Sequence, residues 1–334
     1  MTKPPRSLGR LEDLAARLCE IQQTLAPLTN PRRVVLFAAD HGVVVEGVSA
    51  WPAEVTGRMI DNIRGGGAAS SVLAAASRTE LRVVDVGATS GGLEIEYPAP
   101  EIAYRRERIR AGSRNLFREP ALSGDEFDRA LQIGREEAAL AAENSIAVVA
   151  CGEMGIGNTT SAACLTMLLA NVPVTDAVGR GAGSGDRVLR TKRRVVRTAV
   201  ERAQAFKTAG SRQAMASVAG LEIVAMAGFF LAAHETGMTI LLDGYVTTAA
   251  ALIAHKIMPG CERSMIASHL SAEPGHRGAL SALGLSPFLT WDLRLGEGTG
   301  ALLLMPLLDA AAVMSGRMRT LAELRISPGE IDEP

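Results

Sequence analysis

The stretch SIAVVACGEMGIGNTT, residues 145–160, joins an apolar run to a glycine-rich turn and then to a helical segment. The apolar run over 145–153 predicts a buried strand, and the Ala-rich segment over 159–170 predicts a helix. Apolar runs that end in polar residues recur along the chain, at 32–42, 81–87, 238–244 and 264–271. Strands that alternate with helices predict a parallel sheet with helices on both faces.

Other helical segments complete this pattern, at 8–26, 187–207, 219–234 and about 299–315. We therefore expect an α/β protein with a three-layer, doubly wound, mostly parallel sheet of the Rossmann-like kind. From about residue 275 the chain has loops rich in Gly and Pro before its last apolar helix. The predicted division is residues 29–274 as a large α/β domain, with 1–28 and 275–334 forming a small helical domain from both chain ends.

The composition of the 334 residues is that of a globular protein, with 47% hydrophobic and 21% charged residues. A formal net charge of −1 argues against a general nucleic-acid binder, which would carry a strong basic excess. The four cysteines form no CxxC pair and show no metal-ligand spacing, so a reducing compartment is expected.

No membrane association is predicted. The N-terminal residues lack the apolar core of a signal peptide. The apolar stretch over 223–234 has only 12 residues, too few to span a bilayer. The sequence thus predicts a cytoplasmic protein.

The turn at 152–159 is close to a phosphate-binding P-loop. Gly152 and Gly157 have the P-loop spacing, but Asn158 stands where the lysine would be. An NTPase is therefore not expected, because that lysine reaches the β- and γ-phosphates. The spacing alone leaves two interpretations open. In the first, backbone amides at a helix N-terminus hold one phosphate monoester. In the second, the segment is a plain glycine turn, and Asn158 or Thr159 caps the helix that follows.

Two more glycine-rich loops are candidates for chemistry. The loop GRGAGSGD at 179–186 precedes a basic segment; its amides form a candidate anion nest to which Lys192 adds charge, although most of the arginines there fit a solvated helix face. In LGEGTG, residues 295–300, Glu297 lies between glycines before an apolar helix. It is a candidate general base if desolvation raises its pKa, or simply a helix-capping residue.

Polar residues at the ends of the predicted strands should meet at one rim of the sheet, where ligands bind in such folds. They are Asp40, His41, Asp85, Glu153, Asp243, His269 and Ser271. The loop that follows the first strand contains Trp51 and Pro52, so it is a candidate wall for a flat aromatic ligand. The histidines lack a metal-binding spacing, and we interpret them as hydrogen-bonding residues.

Taken together, these stretches resemble one family, the nicotinate-nucleotide–dimethylbenzimidazole phosphoribosyltransferases of cobalamin nucleotide-loop assembly. The matching segments run in order from about residue 38 to 301: ADHGVVVEGVSAWPAEVT, GEMGIGNTTSAA, VGRGAG, LLDGYVTTAAAL, SHLSAEPGH and RLGEGTGA. The resemblance implies transfer of phosphoribose from nicotinate mononucleotide to 5,6-dimethylbenzimidazole, with inversion at the anomeric carbon. It implies small-molecule substrates, no metal, no cofactor and a homodimer.

The resemblance also assigns roles to residues. Glu297 matches the catalytic base and Glu153 a second active-site glutamate. The residues implied for the 5′-phosphate and ribose are Gly155, Gly157, Asn158, Thr159, Gly181, Gly183 and Lys192. The residues implied for contacts with the substrates are Ser49, Arg58, Met59, Asp243, Ser271, Leu295, Gly296 and Gly298.

One position departs from the family pattern. Arg58 stands where many relatives have glutamine, in the segment that is expected to line the base pocket. Arg58 either alters which base is accepted or points to solvent. The first case leaves open transfer to another acceptor, such as adenine, another benzimidazole or a phenol. A separate alternative is a non-catalytic nucleotide-binding relative. The incomplete GxGxxG pattern makes a nicotinamide dehydrogenase the weakest hypothesis, and the presence of Glu297 argues for an enzyme.

Overall fold

The computed structural model describes residues 2–91, 99, 101–181, 183, 185–206 and 211–325. Six parallel strands form one sheet in the order β3-β2-β1-β4-β5-β6. They are β1 (Arg32–Ala39), β2 (Glu80–Gly87), β3 (Ala103–Arg106), β4 (Val148–Met154), β5 (Thr239–Leu242) and β6 (Met265–Ala267). The predicted α/β fold with a doubly wound parallel sheet is confirmed.

Helices connect the strands and cover the sheet. They are α1 (Arg10–Gln22), α2 (Val55–Arg64), α3 (Ala69–Ala76), α4 (Gly124–Glu143), α5 (Asn158–Ala170), α6 (Val174–Ala177), α7 (Asp186–Gln204), α8 (Arg212–Val218), α9 (Leu221–Glu235), α10 (Tyr245–Ile257), α11 (Gly275–Ala282) and α12 (Thr299–Arg317). Short 3-10 segments lie at Gly42–Glu46 and Cys261–Ser264.

The strand order places a crevice beside β1 and β4. The chain winds outward from β1 to β3 and then returns to add β4 on the other side, so the winding direction reverses between these two neighbours. Their register pairs Phe37 with Glu153 and Ala38 with Met154. Loops diverge at such a reversal, and ligands of open α/β sheets bind there, outside the carboxyl ends of the strands.

The sheet separates two apolar cores. The alternation along β4 shows the division: Val149 and Cys151 belong to the core formed with α4, α5 and α7 to α10, whereas Val148 and Ala150 belong to the core formed with α1, α2, α3 and α12. All eight residues of β1 are buried, as expected for a central strand covered on both faces.

The two ends of the chain meet in the second core. Leu14 and Leu18 of α1 share this core with Leu304, Met305 and Leu308 of α12. Helix α1 ends at Gln22 rather than at residue 26, because Gln23 adopts a left-handed conformation with φ of 51°. The division of the chain into two domains stays a prediction.

Helix α12 is also long and apolar enough to cross a membrane by length and composition, and it is alone in this among the helices of the described residues. Half of its apolar window is buried against the rest of the protein. A core helix of this kind meets the same criterion, so the finding is weak evidence for a span.

Helices α4 and α9 pack backbone to backbone, and this contact requires a glycine at position 134. A Cβ atom on Gly134 of α4 would collide with the carbonyl oxygen of Ala225 in α9. We expect Gly134→Ala to destabilise the protein by about 1–3 kcal/mol, because overpacking forces shifts in a dense core. Thermal or denaturant unfolding measures this loss.

Gly316→Ala in α12 is the matched control for that substitution. A Cβ atom at Gly316 would meet only the Cα atom of Ala26, at 4.0 Å. Alanine favours a helix over glycine, so we expect a gain of up to about 1 kcal/mol. Equal losses for the two variants would contradict the close-packing explanation.

Candidate active site

A cavity of about 430 Å³ lies outside the carboxyl ends of β4 and β5. Its volume is in the range of small-molecule sites. Residues from six segments line it, within 48–59, 153–159, 180–192, 243–247, 269–273 and 294–297. These are the loops that follow β1, β4, β5 and β6, together with α7 and the segment before α12.

Most residues predicted from the sequence line this cavity. They are Ser49, Met59, Glu153, Gly155, Gly157, Asn158, Thr159, Gly181, Lys192, Asp243, Ser271, Leu295, Gly296 and Glu297. Arg58, Gly183 and Gly298 are not among the lining residues. Arg58 and Gly183 are exposed, and residues 182 and 184 of the same glycine loop lie outside the described residues.

Glu297 is a buried carboxylate with one anchored oxygen. Its side chain is 1% exposed, and its Oε2 accepts a hydrogen bond of 3.0 Å from the Ser70 hydroxyl. The backbone N–H of Ser70 lies 3.5 Å from the same oxygen. Burial raises the pKa of Glu297, the hydrogen bonds from Ser70 lower it, and the charge of Asp243 raises it further.

The Asp243 carboxylate holds the loop that carries Glu297. Its Oδ1 accepts the N–H groups of Gly300 at 2.6 Å and Ala301 at 3.2 Å, and its Oδ2 accepts that of Gly298 at 3.2 Å. These amides are the free donors at the N-terminus of α12, where a negative charge is stabilising. Asp243 therefore serves α12 as a cap from the end of a distant strand.

The loop itself has an unusual backbone. Gly296, Glu297 and Gly298 have φ angles of 88°, 59° and 78°, in the left-handed region. Glycine adopts it freely, whereas a glutamate is uncommon there. Such a residue persists where the surrounding contacts determine it, which is typical of functional loops. The loop also lies close to β4, because a Cβ atom on Gly152 would lie 2.6 Å from the carbonyl carbon of Glu297.

Glu153 is the second buried glutamate in the cavity. Its Oε2 accepts a hydrogen bond from the side-chain amide of Asn158. Burial raises the pKa of Glu153 well above 4.5, and the charges of Asp243 and Glu222 raise it further, against the lowering effect of Asn158. The protonated form is thus strongly favoured compared with an exposed glutamate.

One end of the cavity collects donors for an anion. Gly157, Asn158 and Thr159 lie at the N-terminus of α5. The ammonium group of Lys192, which is buried in α7, donates to the Thr159 hydroxyl at 2.7 Å. Burial lowers the pKa of Lys192, and the charge of Glu273 partly offsets this effect. A lysine from another helix thus lies beside the turn that lacks the P-loop lysine.

Another part of the cavity wall is largely apolar. Val48, Trp51, Val55, Met59 and Leu295 line it. Arg58 and Met59 are neighbours on α2, but successive residues of a helix point about 100° apart. Met59 therefore lines the cavity while Arg58 is exposed. The hydroxyl of Thr56, on the same helix, accepts the N–H of Ile156 at 3.1 Å and ties this wall to the glycine turn.

Only some of the polar residues predicted to meet at the carboxyl ends of the strands line the cavity. Glu153, Asp243, His269 and Ser271 line the cavity, whereas Asp40, His41 and Asp85 do not. Each of these three is buried and bonds to a neighbouring loop or helix instead. Asp40 accepts two hydrogen bonds from Thr89, Asp85 accepts the N–H groups of Gly87 and Ala88, and His41 pairs with Glu222 at 2.7 Å.

Comparison with known proteins identifies the family of this chain. The phosphoribosyltransferase family model matches residues 1–326. A nicotinate-nucleotide–dimethylbenzimidazole phosphoribosyltransferase of Thermus thermophilus is 46% identical, over 98% of this chain and 96% of that protein. A protein of the same name from Chromobacterium violaceum is 42% identical, over 98% and 93%. A crystal structure of CobT from Thermus thermophilus has a TM-score of 0.91 at 45% identity, over 98% and 96% of the chains.

The chain belongs to the nicotinate-nucleotide–dimethylbenzimidazole phosphoribosyltransferase family. It is accordingly a pentosyltransferase, and the resemblance found in the sequence is confirmed at the level of the family. A second crystal structure, of a nicotinate-nucleotide–dimethylbenzimidazole phosphoribosyltransferase from the same organism, matches with a TM-score of 0.90 and 45% identity, over the same shares of both chains.

Some polar residues at this candidate site are not singled out by the sequence patterns. Ser70 bonds to Glu297, and the Glu273 Oε1 accepts the N–H of Gly181 at 2.7 Å. Glu273 lies within SHLSAEPGH, so that motif offers a signal, whereas a serine near the start of a short helix offers none. Among the described residues, no group of three or more His, Cys, Asp or Glu side chains is arranged to hold a metal ion.

The raised pKa of Glu153 predicts a stability effect with a defined pH dependence. The folded protein binds the proton more tightly than the unfolded chain does, so this contribution to stability is complete below pH 4.5. It is lost as the pH rises through the folded pKa. We expect Glu153→Gln, which does not titrate, to melt a few degrees above the wild type near neutral pH.

Melting temperatures measured from about pH 4.5 upward test this prediction. The gap between Glu153→Gln and the wild type should widen as the pH rises; a constant gap would contradict it. Glu137→Gln is a control for which we expect a melting temperature below that of the wild type. Glu137 is also buried, but it accepts hydrogen bonds from Arg82 and Arg105. Removing this carboxylate should therefore destabilise the protein at neutral pH.

Proposed function

We propose that this enzyme transfers phosphoribose from nicotinate mononucleotide to 5,6-dimethylbenzimidazole, with release of nicotinate and α-ribazole 5′-phosphate. One observation carries the proposal: a buried carboxylate, Glu297, lies in the same cavity as an anion-binding helix N-terminus and an apolar wall. The two named relatives support the choice of substrates. The product would serve as the lower ligand nucleotide in cobalamin assembly.

The 5′-phosphate is assigned to the N-terminus of α5 and to Lys192. Backbone amides and the helix dipole favour an anion there, and the ammonium group supplies a full positive charge. A single lysine suits one phosphate monoester better than a triphosphate. The aromatic base is assigned to the apolar wall, to which Met59 and Leu295 belong.

The reaction is an in-line substitution at the anomeric carbon. The lone pair of one ring nitrogen of the base forms a bond to that carbon on the α face, opposite the leaving nicotinate. The bond to the nicotinate nitrogen breaks, and its electron pair neutralises the positive charge of that ring. Glu297 accepts the proton that the base loses from its other ring nitrogen. Attack opposite the leaving group inverts the configuration from β to α.

The carboxyl groups of the site can stabilise the positive charge that develops in the transition state. The sugar gains positive charge as nicotinate leaves, and fixed negative or acceptor groups nearby stabilise it. Asp243 and Glu297 line the cavity and are the groups assigned to this effect. We assign Glu153 to the ribose hydroxyls, where a carboxyl group that is kept protonated donates a hydrogen bond.

The proposal extends to assembly and location. We infer a homodimer in the cytoplasm, organised as the large and small domains expected from the sequence. Exposed apolar side chains near the chain ends, including Leu25, Leu28 and Leu307, support a covered surface there. The four cysteines are free thiols, which fits a reducing compartment. Sedimentation analysis of the purified protein tests the dimer, and a monomer at micromolar concentration would contradict it.

A second candidate is the same transfer to another acceptor. The arginine at position 58, where many relatives have glutamine, motivates this candidate. The Arg58 side chain is exposed, however, and this argues for a smaller influence on the acceptor. The purified protein, given nicotinate mononucleotide and a panel of benzimidazoles, purines and phenols, should release nicotinate fastest with dimethylbenzimidazole. Preference for another acceptor would favour the second candidate, and no turnover with any acceptor would refute the enzymatic proposal.

Glu297→Gln tests the assigned base. The amide is similar in shape but cannot accept the proton, and loss of a general base typically costs about 10²–10⁴-fold in rate. We expect kcat to fall by that order while nicotinate mononucleotide binds nearly as before, as measured by calorimetry. A wild-type kcat in this variant would show that Glu297 is not the general base.

Met59→Ala and Arg58→Ala form a matched pair for acceptor choice. Met59 lines the cavity and Arg58 is exposed on the same helix. We expect Met59→Ala to change the ranking of acceptors by KM, because it enlarges the space beside the apolar wall, and Arg58→Ala to change it less. A larger effect from Arg58→Ala would place the specificity on the outer face of α2.

A further inference from the structure

We propose that Ser70 is a positioning residue for catalysis, which fixes the Glu297 carboxylate so that one oxygen faces the substrate base. This inference rests on the proposed role of Glu297 as the base and adds to it. Ser70 does not line the cavity, so it acts only through Glu297.

The contact between these residues is specific to one carboxylate oxygen. Both the hydroxyl and the backbone N–H of Ser70 approach Oε2, at 3.0 Å and 3.5 Å. Ser70 is the second residue of α3, so its N–H is one of the helix donors that lack an intrahelical partner. Among the described residues, Oε1 has no hydrogen-bonding partner, and Glu297 lines the cavity. Oε1 is therefore the oxygen available to a base.

The hydroxyl is the stronger of the two contacts. A distance of 3.5 Å is beyond the usual range for an N–H donor, whereas 3.0 Å lies within the range for a hydroxyl. Without the hydroxyl, the terminal torsion of the glutamate would be weakly determined, since such sp³–sp² torsions have broad minima. The backbone of Glu297 is already held through Asp243, so Ser70 completes the orientation at the other end of the residue.

The same contact affects how readily Glu297 takes a proton. The hydrogen bonds from Ser70 lower the pKa of Glu297, against burial and the charge of Asp243. Other charged or titratable groups face this part of the cavity from β4, from the loop after β6 and from the segment before α12: Glu153, His269 and Arg294. None of these changes when the Ser70 hydroxyl is removed. The pKa of Glu297 should then rise further, and the base should be protonated at a higher pH.

Ser71 provides a matched control. It adjoins Ser70 on the same helix and is also buried, but its hydroxyl donates to the carbonyl oxygen of Ile63 at 2.8 Å. Ser71→Ala thus removes one buried hydroxyl from α3 without touching Glu297. Loss of helix stability or of packing should affect both variants alike, whereas an effect through Glu297 should appear only in Ser70→Ala.

The experiment measures kcat and both KM values from about pH 5 to 9, around the neutral range in which general bases operate, for the wild type, Ser70→Ala and Ser71→Ala. We expect kcat of Ser70→Ala to fall about tenfold or more, the usual cost of losing a hydrogen bond to a charged group. Its KM for nicotinate mononucleotide should stay within about twofold, because Ser70 does not line the cavity and its side-chain contact is with Glu297, not with the residues assigned to the phosphate. The acidic limb of its kcat profile should move to higher pH, and that of Ser71→Ala should not.

A double variant separates action through Glu297 from other effects. If Ser70 acts through Glu297, Ser70→Ala should lower kcat no further in the Glu297→Gln background. Additive losses of kcat in the double variant would overturn the proposal. So would an acidic limb of the kcat profile that stays at the wild-type pH in Ser70→Ala, or one that shifts equally in Ser71→Ala. Failure of the proposed function is distinguishable, because the wild type itself would then turn over no acceptor.

Discussion

The site depends on the contact between the Asp243 carboxylate and the N-terminus of α12. Three backbone amides point at the two oxygens, and they belong to three of the four residues that follow Glu297. A left-handed glutamate between two left-handed glycines would not hold its conformation alone. Asp243 supplies the constraint, and it is itself fixed at the end of the buried strand β5. Glu297 is thus anchored to the sheet, although its loop is far from β5 in sequence.

Close approach between the loop and the sheet completes this arrangement. Gly152 of β4 leaves room for the backbone of Glu297, and Gly300 leaves room for the ring of His269. The adjacent residue of β4, Glu153, reaches the cavity beside the same loop. Three carboxyl groups are consequently gathered in a buried space, which raises the pKa of Glu153 and of Glu297. Such crowding opposes stability, and shifted pKa values of this kind are typical of functional sites.

The fold and much of the site are predictable because their signals are local. Five of the six strands are apolar runs, and the glycine turns mark where loops meet the sheet. Strand β3, Ala103–Arg106, escapes sequence analysis because it is a short edge strand whose side chains are partly exposed, so it has no apolar pattern. Ser70 escapes it for a different reason: its partner, Glu297, is 227 residues away, and only the folded chain brings them together. The roles of the predicted residues and the division into domains stay predictions.

The turn at 152–159 shows how tertiary structure changes the interpretation of a motif. In a P-loop, one segment supplies both the amides and the lysine, whereas here α5 supplies the amides and α7 supplies Lys192. Burial lowers the pKa of this lysine, so its charge depends on Glu273 and on whichever anion occupies the pocket. Glu273 already accepts the N–H of Gly181 at the same end. In the proposed complex, the 5′-phosphate would share the ammonium group of Lys192 with the nearby charge of Glu273. Such a balance would suit one monoester better than a polyphosphate.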